Sequence, residues 1–175
     1  LGLKLGAGQN DPKDMQETYD IHGGELTKGF GLAGIELLYE GNVSETGKLG
    51  LKIGADIYGQ NAYKYLYVKA TETTYAIPAT LYYKFGGNEN SWAFYLGGGA
   101  TYISSELEIN ELGHYKETKS KIFPHAVVGV EYRFGSVFAL GLEGKYNINA
   151  KVEKDGEFFS DRTGFGGALT ARFYF

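Results

Sequence analysis

Leu49-Gly50-Leu51-Lys52-Ile53-Gly54-Ala55-Asp56-Ile57-Tyr58 alternates without interruption. Leu49, Leu51, Ile53, Ala55 and Ile57 fall on one side and Gly50, Lys52, Gly54, Asp56 and Tyr58 on the other, a period of two that belongs to a β-strand. One face is wholly apolar. The opposite face carries charge and small residues, so this strand is expected to separate two unlike media.

The pattern recurs in both directions from that stretch. Upstream stand the apolar rows Leu1, Leu3, Leu5, Ala7 and Ala33, Ile35, Leu37, Tyr39. Downstream, a fourth strand carries Ile77, Ala79, Leu81, Tyr83 and Phe85, and a fifth Trp92, Phe94, Leu96, Gly98, Ala100 and Tyr102. The sixth has Ala126, Val128, Val130, Tyr132 and Phe134, the seventh Phe138, Leu140, Leu142 and Tyr146, and the eighth Phe165, Leu169, Ala171, Phe173 and Phe175. Aromatic rings gather toward strand ends, where an amphipathic side chain bridges hydrocarbon and headgroups. A soluble barrel that filled its own interior with rings has less reason to place them there.

Residues 10–28, 59–71, 105–119 and 149–162 read as long polar connections, whereas 41–48, 86–91 and 134–136 are short. That alternation predicts a closed antiparallel up-and-down transmembrane β-barrel of eight strands, one domain over residues 1–175, with short turns and both termini periplasmic and long loops outside. Pro78 and Pro124 lack the N–H that a closed ladder uses, so they are expected near the outer ends of strands four and six or at a bulge.

Composition agrees with this reading. The 175 residues suit one domain, and Gly 27 with Tyr 15 against Pro 3, Met 1 and Trp 1 favours strands and turns. There is no Cys, which removes disulfides and thiolate metal sites. The net charge of −4, with Lys and Arg scattered, argues against a nucleic-acid partner. No apolar run is long enough for a membrane-spanning helix, and the mean hydropathy of −0.27 is compatible with a barrel wall, which is apolar only at alternate positions. The chain starts inside the strand-like segment Leu1–Leu5, as a mature or a trimmed chain would.

The last strand, Gly167-Ala168-Leu169-Thr170-Ala171-Arg172-Phe173-Tyr174-Phe175, resembles the signal read by the barrel-assembly machinery, with Phe173 and Phe175 in the apolar row. Together with the eight-strand pattern it resembles the small outer-membrane barrels of the OmpA transmembrane domain and OmpX type. Thr170 stands where those strands often have Gly. The resemblance implies a bacterial outer-membrane location, with lipid, lipopolysaccharide and the assembly machinery as partners.

The inward rows collect Lys4, Lys52, Lys84, Arg133, Lys145 and Arg172 against Glu36, Glu40, Asp56, Glu131 and Glu143. In an eight-stranded barrel the bore is filled by side chains, so these charges are expected to pair as a structural network. Glu36 and Glu40 are expected to meet Lys4 and Lys52 on the flanking strands. His125 is expected inward, roughly opposite Lys145. A carboxylate pair used for acid–base chemistry is the competing reading, and no pair is singled out by catalytic neighbours.

Small outer-membrane barrels of the lipid A deacylase type place His and Ser two apart on a lipid-facing strand. Here His22, His114 and His125 are followed by Gly24, Lys116 and Val127, which offers no nucleophile–base pair. The acidic first loop, with Asn10, Asp11, Asp14, Glu17 and Asp20, lacks the EF-hand spacing, and no metal or cofactor is expected. Lys64 and Lys69, set among Tyr65 and Tyr67, are candidates for lipopolysaccharide phosphate contact. The expected function is non-enzymatic: a closed barrel whose external loops serve surface interaction, adhesion or envelope integrity, with an extracellular ligand as partner. The rivals are a lipid A-modifying enzyme and a narrow channel for small or hydrophobic solutes.

Overall fold

The computed structural model describes residues 1–10, 25–26, 29–65, 68–110, 114–154 and 157–175, with side chains for 1–9, 29–59, 73–106, 118–152 and 162–175. The wall strands are β1 (Gly2–Asn10), β2 (Gly29–Asn42), β3 (Gly47–Tyr65), β4 (Val68–Gly86), β5 (Trp92–Asn110), β6 (His114–Phe134), β7 (Phe138–Asn147) and β8 (Gly164–Phe173). Each pairs antiparallel with the next. β8 pairs with β1, Leu169 facing Leu5, and the ring closes. Closure satisfies backbone polar groups that hydrocarbon could not.

Adjacent residues reveal the outer solvent. Leu169 exposes 65% of its surface and Thr170 only 2%; Leu5 and Leu37 are exposed whereas Lys4 and Glu36 are buried. A protein dissolved in water would reverse this arrangement. The apolar row Leu49–Ile57 rises about 27 Å along its strand, enough for a tilted strand to cross most of a hydrocarbon layer.

Two turns at one end show local chemistry dictating path. Gly86 and Gly87 have φ of +77° and +86°, which a residue without Cβ adopts cheaply. Gly86 N–H then donates to Thr46 C=O at 2.8 Å, tying neighbouring turns together.

The opposite end differs from expectation. Residues 59–71 and 105–119 are mostly strand, since β3 runs to Tyr65 and β4 starts at Val68, while β5 reaches Asn110 and β6 starts at His114. Polar composition had suggested loops, but strands that leave the bilayer still pair through their backbones. The two prolines therefore lie well inside long strands. At Pro78 the β3–β4 ladder passes from Ile53↔Ala79 to Asp56↔Ala76 in unchanged register, skipping the pairs between. Pro124 sits where β7 gives out: the β6–β7 ladder ends at His125↔Asn147, so its missing N–H deprives no wall strand there.

Candidate functional site in the barrel interior

Every inward row delivers its polar side chains to a bore too narrow to leave them apart. Arg172 on β8 is the hub. Its Nε donates to Glu36 Oε1 at 2.7 Å, its Nη1 to Glu131 Oε2 at 2.6 Å, and its Nη2 to Glu143 Oε2 at 3.1 Å and to Tyr95 Oη at 3.0 Å. The Tyr95 hydroxyl in turn donates to Glu143 at 2.8 Å. A planar guanidinium with five donors can serve several carboxylates at once, which an ammonium does less well.

Three lysines complete the network. Lys52 pairs with Glu143, and Lys84 bridges Glu40 and Glu131, the latter at 2.7 Å. Lys4 lies 2.7 Å from Asp56. Lys4 and Lys52 are each 3.9 Å from the second oxygen of Glu36. Lys84 also donates to the Tyr174 hydroxyl at 2.9 Å, which passes its proton bond to Glu131 at 2.8 Å, and Tyr82 donates to Glu40 at 2.8 Å. The tyrosines were missed by the sequence reading, although Tyr82, Tyr95 and Tyr174 share the inward parity of Lys84, Glu131's partner strand and Arg172.

Other expected contacts resolve differently. Glu40 meets Lys84 and Tyr82, not Lys52, because bore partners are set by proximity across the ring and not by adjacency along the wall. Arg133 caps the turn end, donating to the carbonyls of Gly87 at 3.2 Å and Ser136 at 2.6 Å, and its guanidinium lies 4.6 Å from the Tyr174 ring centre. It joins no carboxylate among the described residues. Lys145 reaches the Tyr58 hydroxyl at 3.5 Å and likewise has no carboxylate within ion-pair distance among the described residues.

His125 is inward as expected, but the residue opposite it is Asn147, and Lys145 faces Val127. Thr80 and Thr101 hold the imidazole, at 2.9 Å from Nε2 and 2.8 Å from Nδ1. It is a satisfied interior histidine. Because its ring points into the bore, it is not presented to lipid.

Toward the long-hairpin end the bore is filled by Phe30, Tyr58, Ala76, Ile103, Phe123, Ala150 and Val152. Phe30 and Tyr58 meet edge to face at 5.4 Å. On the outside of the opposite end, Trp92, Tyr132, Phe134, Phe138 and Phe173 form a continuous chain of ring contacts across β5 to β8. The side chains of Lys64 and Lys69, and the acidic first loop, lie outside the described residues. No cluster of metal ligands occurs among the described residues.

No curated protein sequence matches the chain. Among solved structures it resembles Neisserial surface protein A (TM-score 0.57, 15% identity, covering 97% of this chain and 92% of that one). It also resembles Ail, the attachment invasion locus protein of Yersinia pestis (0.55, 15%, 99% and 95%), and the outer membrane enzyme PagL (0.54, 10%, 99% and 97%). These likenesses establish shared architecture. The outer membrane protein β-barrel domain family matches residues 1–173, and this bacterial outer-membrane chain belongs to it.

Proposed function

We propose that this protein is a non-enzymatic outer-membrane barrel, closed to solutes, with periplasmic termini and with its hairpin end serving adhesion, surface recognition or envelope integrity. The observation that carries the reading is the unequal length of the wall. β3 to β6 run far past β1, β2, β7 and β8 at the long-hairpin end. A sheet standing clear of the membrane offers a surface on which another molecule can dock. Lys64 and Lys69 belong to this extended region and are suited to lipopolysaccharide phosphates. One protein of similar fold is named for attachment and has been seen with a heparin analogue, sucrose octasulfate.

The enzyme rival is disfavoured because His125 is turned into the bore between two threonines. The channel rival is disfavoured by the charge network and the apolar fill above it.

The test compares bacteria displaying the full chain with bacteria displaying variants in which residues 61–71 and 108–117 are cut to tight turns, on surfaces coated with heparin or matrix protein. The full chain should bind and the trimmed one should not, while both keep the gel mobility of a folded barrel. Equal binding overturns the reading. So does a shift in lipid A mass on expression, or steady single-channel conductance in planar bilayers.

A further inference from the structure

Between the ring pair of Phe30 and Tyr58 and the cluster around Arg172, the side chains of the bore leave a cavity of about 20 Å³. Lys4, Asp56, Tyr58, Glu143, Lys145 and Asn147 supply its polar lining. A buried water requires roughly 10–15 Å³ open to a sphere of its own size, together with two to four polar partners. The space suits one such molecule and nothing much larger.

The groups around it are short of partners. Asn147 and Asp56 expose only 6% and 2% of their surface. Asn147 Nδ2 donates to Arg162 C=O at 3.2 Å, which assigns the other end of the amide as the oxygen, and that Oδ1 accepts no hydrogen bond among the described residues. Asp56 Oδ1 lies 2.7 Å from Lys4 Nζ, an ion pair that does not have the direction of a hydrogen bond. Lys145 Nζ meets the Tyr58 hydroxyl at 3.5 Å, and that hydroxyl meets Asp56 Oδ2 also at 3.5 Å, both beyond the usual range for a strong hydrogen bond. Two buried acceptors and an ammonium with donors to spare therefore border one space.

Charge selects what fits there. The lining sets Lys4 and Lys145 against Asp56 and Glu143, two of each sign, so a neutral molecule keeps the balance and an ion would bring a buried charge without a counterpart. The free positions call for a molecule that gives two hydrogen bonds and takes one.

We infer that this cavity is the site of one fixed water, which donates to Asn147 Oδ1 and Asp56 Oδ1 and accepts from Lys145 Nζ. Three hydrogen bonds are the usual complement of a buried water. This one links β3 to β7 across the bore and hydrates an ammonium that has no carboxylate within ion-pair distance among the described residues.

The full chain folded in micelles allows the test. Magnetic relaxation dispersion of isotopically labelled water counts long-lived buried molecules, and water–protein cross-relaxation locates them. A cross peak at the water frequency should reach the side-chain amide of Asn147. Asn147→Leu removes an acceptor and should lower the count by one, and Lys145→Met, which removes the donor, should do the same. Gly31→Ala, on the lipid face, should leave the count unchanged. If Asn147→Leu fails to fold, Lys145→Met decides. Absence of the cross peak, or an unchanged count in the folded variants, overturns the site. So does anomalous density in the cavity of a crystal soaked in bromide, which would make the occupant an anion.

Discussion

Arg172 Nε lies 2.7 Å from Glu36 Oε1, so the last strand of the barrel is bound across the bore to the second through two fully buried groups. The contact spans 136 positions of sequence. It forms only after the ring has closed, and it gives the terminal strand an interior reason for its place beside β1.

Removing Arg172 should be costly. Arg172→Met leaves the buried Glu36, Glu131 and Glu143 sharing fewer cations, and breaking a buried ion pair from one side costs about 3–5 kcal/mol. Urea unfolding in lipid vesicles, followed by gel mobility, should show a loss of that order. A loss below about 1 kcal/mol would mean the cluster is dispensable.

Lys145 should behave in the opposite way. Its one described partner is the Tyr58 hydroxyl at 3.5 Å. Lys145→Met removes a poorly compensated ammonium, so stability should change by less than about 1 kcal/mol in either direction. Lys52→Met, which removes one of the two cations paired with Glu143, should cost clearly more in the same assay.

Leu169 and Thr170 are neighbours in sequence with different solvents. Leu169→Arg puts charge on the lipid face and should cost about 2–4 kcal/mol. Thr170 Oγ1 is buried without a hydrogen-bond partner, so Thr170→Val should be neutral or stabilising by up to about 1 kcal/mol. Equal effects of the two substitutions would contradict the assigned faces.

Glycines within the wall should divide by the space beside them. A Cβ on Gly99 would collide with the Ala79 carbonyl and the Thr80 backbone, whereas one on Gly31 would meet nothing within 4 Å. Gly99→Ala should therefore lower stability by about 1–3 kcal/mol, as overpacking does, and slow assembly, while Gly31→Ala should be silent in refolding yield and in melting.

Much of the fold was legible because side-chain direction along a strand is local. A period of two assigns Leu51 outward and Lys52 inward from the sequence alone, and the same rule applied to eight segments gives the wall, its medium and the inward charges. Strand limits were less legible. Hydrophobicity marks where a strand meets lipid, not where its backbone stops pairing, so the extensions beyond Gly59 and Ser105 read as loops and Pro78 and Pro124 are expected near strand ends that in fact lie farther out.

The partners within the bore were decided by tertiary structure. That Glu40 meets Lys84, that Tyr95 joins Arg172 to Glu143, that Lys145 is left with a hydroxyl, and that Arg162 turns inward from a polar connection all depend on strand stagger and barrel diameter. Those quantities are properties of the closed ring. Sequence alternation determined which residues face inward; only closure determined which of them touch, because partners several strands apart are brought together by curvature and not by spacing along the chain.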